Sequence, residues 1–224
     1  MLRERSQMAH QSAQGQASIT SWVMGLSLCL LVLAGLLGCS ETPRLKPLAN
    51  DAVILAFGDS LTRGVGVPIE QSYPSELARL TGLTVINAGV SGEVTAQGRF
   101  RLTQLLAQHQ PDLVVLCLGG NDILRRLKSD LIEANLRAMI SEIQAAGIDV
   151  VMLAVPVFGL FPSAPDYFSK LADEAMIPLE LDIIPALERE IKYKSDGIHF
   201  NDEGYKLMAS AVFQLMKDAG ALVL

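Results

Sequence analysis

From Ala52 to the end of the chain, short apolar runs alternate with amphipathic segments of helix length. Val53–Phe57 (VILAF), Leu83–Asn87 (LTVIN), Asp112–Leu118 (DLVVLCL), Ile148–Val155 (IDVVMLAV) and Ile177–Leu181 (IPLEL) read as strands. Runs this short and this apolar suit strands covered on both faces. Between them, Ser72–Leu80, Val94–His109, Ser129–Ala146, Pro165–Met176 and Asp202–Ala219 read as helices. Pro74 falls in a first turn, where its missing N–H costs nothing. Val94–His109 offers Phe100, Leu102, Leu105 and Leu106 as apolar positions. Ser129–Ala146 is the most regular, with Ser129 as cap and Gly147 as stop. Its apolar face is Leu131, Ile132, Leu136, Met139, Ile140 and Ile143. Strand–helix alternation predicts an α/β fold: a five-stranded parallel sheet inside a three-layer αβα sandwich.

The first fifty residues do not follow this pattern. Met1–Ser21 is polar and carries Arg3 and Arg5; Trp22–Gly38 is an apolar run of 17 residues free of charge, with Ser27 its one polar side chain. A core helix would show polar positions at a 3.6-residue period, and this run shows no such period, so it reads as a signal peptide. It ends Leu36-Leu37-Gly38-Cys39-Ser40, which resembles the bacterial lipobox, in which the cysteine is acylated and becomes the new N-terminus. That resemblance implies a lipid anchor at Cys39 holding the domain to a membrane. By resemblance to the sorting rules of bacteria with two membranes, Ser40, in place of Asp, after the cysteine implies the periplasmic face of the outer membrane. The expected organisation is a signal peptide over 1–38, lipidation at Cys39, a Pro-containing tether over 39–51 and one domain over 52–224.

Charge removes one class of partner. The chain of 224 residues has a formal net charge of −6. Residues 1–38 hold only Arg3, Arg5 and Glu4, leaving 16 basic and 23 acidic side chains from Cys39 onward, a net −7. With no basic stripe to neutralise phosphates, a nucleic-acid partner is not expected. Beyond Cys39 the cysteines point to no chemistry: Cys29 falls in the export segment, and Cys117 in a strand, where a small inert core residue is expected. No spacing suits a metal.

In a parallel sheet, ligands bind beyond the carboxyl ends of the strands. The residues there are Gly58-Asp59-Ser60-Leu61 after the first strand, Asn87-Ala88-Gly89-Val90-Ser91-Gly92-Glu93 after the second and Gly119-Gly120-Asn121-Asp122 after the third. Asp196-Gly197-Ile198-His199 lies near the C-terminus. A three-residue spacing places Asp196 and His199 side by side, so that the carboxylate can accept the imidazole Nδ1–H and leave Nε2 free for a serine proton. Only His10, His109 and His199 exist. His10 is in the export segment and His109 reads as a surface residue, so in a Ser-His enzyme His199 is the base. The G-x-S-x-G elbow of other serine hydrolases is absent, because Thr62 stands where its second glycine would be.

GDSL at 58–61, NAGVSG at 87–92, GGND at 119–122 and DGIH at 196–199 resemble, in order, the four signature blocks of the SGNH, or GDSL, hydrolases. The stretch NAGVSGEVTAQGRFRL and the following GGND are most similar to the bacterial arylesterase and multifunctional thioesterase/lysophospholipase group. The resemblance implies a flavodoxin-like sheet and a hydrolase of carboxylic esters or thioesters. It implies Ser60 as nucleophile, Asp196 and His199 as the rest of a triad, and oxyanion donors at the Ser60 and Gly92 N–H groups and the Asn121 amide. No metal or organic cofactor is implied. Phe200 departs from the pattern, since many relatives have proline there, and this bears on local loop shape.

Asp59 reads as a loop-stabilising carboxylate, and Asp122 and Asn87 as structural, bonding nearby backbone. Thr62, Arg63 and Glu70 read as solvated rim residues. Arg125, Arg126 and Lys128 read as a solvated approach, with a grip on an anionic leaving group as the alternative. Ile123, Leu124, Val157 and Phe158 are either acyl-pocket lining or ordinary packing. Three other readings stay open: a carbohydrate O-deacetylase, a non-catalytic lipid- or glycan-binding lipoprotein and a structural anchor protein, the last disfavoured because a complete triad would then be idle.

Overall fold

A computed structural model describes residues 43–223; the signal peptide and Cys39 lie outside these. Five strands, β1 (Val53–Gly58), β2 (Thr84–Gly89), β3 (Leu113–Cys117), β4 (Asp149–Leu153) and β5 (Leu179–Glu180), form one sheet in the order β2-β1-β3-β4-β5. All four pairings are parallel. The longer helices are α2 (Tyr73–Thr81), α3 (Thr95–His109), α5 (Ser129–Ala145), α6 (Tyr167–Ala175) and α8 (Asp202–Asp218). Three short ones intervene: α1 (Ser60–Arg63), α4 (Gly120–Leu124) and α7 (Ile183–Glu188). Helix α2 packs on α8, while α3 packs on α5 and α5 on α6, giving a helical layer on each face of the sheet. The expected architecture is therefore the observed one.

Burial explains the order. Every residue of β3, and all of β4 after Asp149, is buried, because these central strands are covered on both faces. Edge strand β2 is only half-buried. At roughly 25 cal/mol per Å² of apolar surface, this continuous core is the main stabilising term.

Several local expectations are corrected. Phe100 and Leu131 are exposed, at 84% and 57%. Phe100 is off the stripe Gly98-Leu102-Leu105 that faces the sheet, and Leu131 sits in the first turn of α5, outside its buried face. Ser129 is the first helical residue of α5 and does not cap it; the preceding Lys128 makes no side-chain cap either. Helix α7 was not foreseen, because Pro185 lies inside it; proline is tolerated there because it falls within the first turn. The expected tether 39–51 is partly body: Leu45 is buried, its N–H donates to Ala219 O at 2.9 Å, and Leu48 N–H donates to Ala221 O at 2.8 Å.

Candidate active site

The order puts β1 beside β3, and the connection from β1 runs to β2 on one side while that from β3 runs to β4 on the other. The crevice at such a reversal is where doubly wound sheets bind ligands. Ser60 leaves the end of β1 and Asn121 follows β3, one on each side of it. Two glycines make the approach possible. A Cβ on Gly89 would sit 2.1 Å from Arg63 N, so only glycine lets β2 close on α1, the turn that carries Ser60. Gly92 has φ +79°, a conformation L side chains avoid, and adopting it turns the loop after β2 toward the cleft.

The cleft has a volume of about 290 Å³. Ser60, Gly92, Asn121 and His199 all line it, with Asp59, Leu124, Phe158 and Ile198 among their neighbours. His199 Nε2 lies 3.0 Å from Ser60 Oγ, and His199 Nδ1 lies 2.7 Å from Asp196 Oδ2. With the proton on Nδ1, the ring donates to Asp196 and accepts from the Ser60 hydroxyl. A larger depression, about 730 Å³, lies at the opposite edge of the sheet, lined by Lys46, Asp112, Glu142 and Asp149 among others. It has no serine or histidine in its lining, so chemistry and not size selects the smaller cleft.

Asp196 and His199 share one tight loop. Asp196 Oδ1 accepts the N–H groups of Ile198 and His199, each at 2.7 Å. Burial pushes the Asp196 carboxyl up, but these bonds and the one from the His199 ring outweigh it and bring its pKa down to about 2. The loop is closed by Ser195 N–H donating to His199 O at 2.9 Å and Asn201 N–H donating to Tyr193 O at 2.9 Å. Phe200, the departure noted in the sequence, is fully buried and meets Tyr205 edge-on at 5.7 Å, which fixes the loop to α8. Beneath the loop, Lys194 Nζ donates to Glu188 Oε2 at 2.5 Å.

On the other side, Asp59 and Asp122 are both buried. Asp59 Oδ1 accepts the Leu61 N–H at 3.1 Å, capping α1, and Oδ2 accepts from Asn121 Nδ2 at 3.0 Å. Burial pushes the Asp59 carboxyl up to about 7 against these hydrogen bonds. Asn121 Nδ2 also donates to Glu93 O at 3.1 Å. Both amide hydrogens thus have partners in the free site, and donation to an oxyanion means sharing or releasing one. Asp122 accepts from Thr95 N at 2.8 Å and Thr95 Oγ1 at 2.7 Å, holding the start of α3. It is structural, as expected, but across 27 residues and not locally. Asn87 does bond locally, accepting the Gly89 N–H at 3.0 Å.

The remaining expectations divide. Leu124 and Phe158 line the cleft; Ile123 and Val157 do not. Successive residues of α4 point about 100° apart, and Ile123 turns to the core while Leu124 faces the opening. Val157 N–H instead donates to Ser163 O at 2.9 Å, pinning a hairpin of which Phe158 is the inner residue. Arg63 and Glu70 are exposed, but Thr62 is fully buried, its hydroxyl 3.3 Å from that of Tyr73. Arg125 is not merely solvated: its Nη2 donates to Gly92 O at 2.8 Å, spanning two of the site's loops.

Glu93 and Arg101 were missed. Arg101 Nε donates to Glu93 Oε1 at 2.8 Å and Nη2 to Glu93 Oε2 at 2.5 Å. A signal existed. Arg101 occupies a core-facing place on the stripe of Gly98, Leu102 and Leu105, where a charge needs a partner.

Comparison with known proteins agrees with this geometry. The profile of the GDSL-like lipase/acylhydrolase family matches residues 56–207. An arylesterase of Vibrio mimicus is 37% identical over 172 residues, covering 72% of this chain and 86% of the relative. A thioesterase 1/protease 1/lysophospholipase L1 of Escherichia coli is 30% identical over 168 residues, covering 70% and 79%. The crystal structure of TesA superposes with a TM-score of 0.69 at 26% identity, covering 75% of this chain and 99% of that one. Four motif loops meeting in one cleft, on a sheet of this order and with relatives of this coverage, have one explanation: the chain belongs to the GDSL-like lipase/acylhydrolase family.

Proposed function

We propose that the protein hydrolyses carboxylic esters or thioesters by acyl transfer through Ser60. The observation that carries this reading is the 3.0 Å approach of His199 Nε2 to Ser60 Oγ. Its support is the orientation of the same ring by Asp196 at 2.7 Å. Ser60 Oγ attacks the carbonyl carbon while His199 takes its proton. The carbonyl oxygen becomes an oxyanion, received by the N–H groups of Ser60 and Gly92 and by Asn121 Nδ2. His199 returns the proton to the departing alcohol or thiol, and water, activated by the same ring, releases the acid. Asp196, ionised at any pH above about 2, balances the imidazolium charge throughout. Leu124 and Phe158 give the acyl chain an apolar wall.

The substrate class is supported by the relatives, which carry the names arylesterase and thioesterase/lysophospholipase. The site residues are supported by their convergence in one cleft. The apolar run Trp22–Gly38 followed by Cys39 supports export and lipid anchoring at that cysteine, facing the periplasm. No helix among the described residues is long and apolar enough to cross a membrane. The decisive experiment is turnover of a panel of p-nitrophenyl esters and acyl thioesters, with Ser60→Ala as control. Hydrolysis by wild type and none by the variant is expected; equal rates would end the proposal. Palmitate labelling lost in Cys39→Ala tests the anchor separately.

A further inference from the structure

We propose that Arg101, acting through Glu93, is the positioning residue that holds the oxyanion donors in register with the nucleophile. The inference rests on the esterase reading of the cleft. Arg101 touches no reacting atom. Its guanidinium instead joins the two pieces of backbone whose separation defines the site. One is the end of β1: Arg101 Nη2 donates to Gly58 O at 3.3 Å, two residues before Ser60, and the guanidinium carbon lies 4.2 Å from the centre of the Phe57 ring. The other is the loop after β2, where the same guanidinium grips both oxygens of Glu93.

Glu93 occupies the residue between the two donors contributed by other loops. Its N–H follows Gly92, and its carbonyl accepts from Asn121 Nδ2 at 3.1 Å. Moving Glu93 therefore moves the Gly92 peptide and the acceptor that orients the Asn121 amide. The Glu93 carboxylate is 5% exposed and the Arg101 side chain 23%. A planar fork gripping both carboxylate oxygens fixes distance and angle together, which a single-point ammonium does not. Helix α3 is placed to make this possible: a Cβ on Gly98 would meet Leu118 Cδ2 at 2.5 Å, so the glycine lets the helix close on the sheet. Arg101, one turn later on the same face, then reaches both targets. Such a buried pair is weak evidence for stability, since apolar residues of similar size commonly serve as well. Its placement gives it a geometric task.

The test uses the full-length chain with Arg101→Met, Arg101→Lys, Glu93→Gln and the double variant Arg101→Met/Glu93→Gln. Two quantities are read: kcat and KM on a p-nitrophenyl ester well below each variant's Tm, and the amide resonance of Gly92. A complete loss of one oxyanion donor costs about 10²–10³ in kcat, so misplacement in Arg101→Met is expected to cost at least about tenfold with KM within about twofold. The Gly92 resonance is expected to move. Arg101→Lys is expected to stay below wild type, and the double variant to lose no more than Arg101→Met. A folded Arg101→Met with wild-type kcat, or with only a lower Tm, overturns the proposal. Should Arg101→Met not fold, wild-type kcat in Arg101→Lys overturns it. If wild type itself hydrolyses no ester, the parent reading fails instead; the Gly92 resonance still decides the strut, and its constancy in folded variants rejects it.

Discussion

The two walls of the cleft are built on different principles. The proposed acid and base, Asp196 and His199, come from one loop of four residues, closed by bonds between near neighbours and half open to solvent; the Asp196 side chain is 51% exposed. The proposed nucleophile and oxyanion donors come from three separate strand ends, tied by bonds between residues far apart in sequence: Asn121 to Asp59, Asp122 to Thr95, and Arg101 to Gly58. The local wall carries its geometry in its own sequence. The distant wall needs the sheet to exist first. The two are joined at Ser60 and His199, and again where Tyr205 Oη, from α8, donates to Val65 O at 2.8 Å.

This contrast can be broken where the walls meet. Ser60→Ala and His199→Ala are each expected to lower kcat on the order of 10⁶-fold, and the double variant to lose little more, because the two act as a unit. Steady-state kinetics with p-nitrophenyl butyrate, and the absence of an acyl burst, check this; independent, additive losses would contradict it. Next in size is the local wall alone. Asp196→Asn is expected to cost about 10⁴ in kcat by releasing the imidazole tautomer, with the fold unchanged by circular dichroism. Smaller again is the distant wall: Asn121→Ala is expected to cost about 10²–10³ in kcat with KM nearly constant. Should Asn121→Ala prove as damaging as Ser60→Ala, the amide is doing more than receiving an oxyanion.

The last test distinguishes the walls by the pH dependence of stability and not by rate. Asp59 has its native pKa raised from 3.8 to about 7, so between those values the native state holds a proton that the unfolded state has released. Its contribution is therefore fully present below about pH 3.8 and is lost progressively as pH rises to about 7, at roughly 1.4 kcal/mol per pKa unit before relaxation. Asp196 runs the other way: its native pKa is lowered to about 2, so its stabilisation is present above 3.8 and lost as pH falls toward 2. Its exposure makes that contribution small. Urea unfolding midpoints between pH 4 and 8 are expected to fall with pH more steeply in wild type than in Asp59→Asn. Parallel curves would remove the assignment of a proton to Asp59.

What the sequence made legible follows the same division. Strand and helix order came from apolar runs such as Leu113–Leu118 and stripes such as Ile132, Leu136, Met139 and Ile143, because burial imposes its own period. The Asp196–His199 turn was legible since spacing alone brings its members together. Recognition of the four blocks supplied Ser60, Gly92 and Asn121. Glu93 and Arg101 were not legible: their partnership depends on α3 lying against the end of β1. The apolar lining of the cleft was half legible, because neighbouring residues such as Ile123 and Leu124 are separated only by the direction each side chain takes. Thr62 was misjudged because a hydroxyl beside a charged Arg63 looks solvated until Tyr73 is seen opposite it.

The docking of Leu45 and Leu48 onto the residues after α8 has a practical corollary. Lys46 N–H, between them, donates to Asp149, the first residue of β4, so the chain enters the body at the amino ends of the strands. The reaction cleft opens at their carboxyl ends. A bead, surface or fusion partner coupled at Pro43 itself therefore attaches behind the sheet, away from the entrance through which an ester would come.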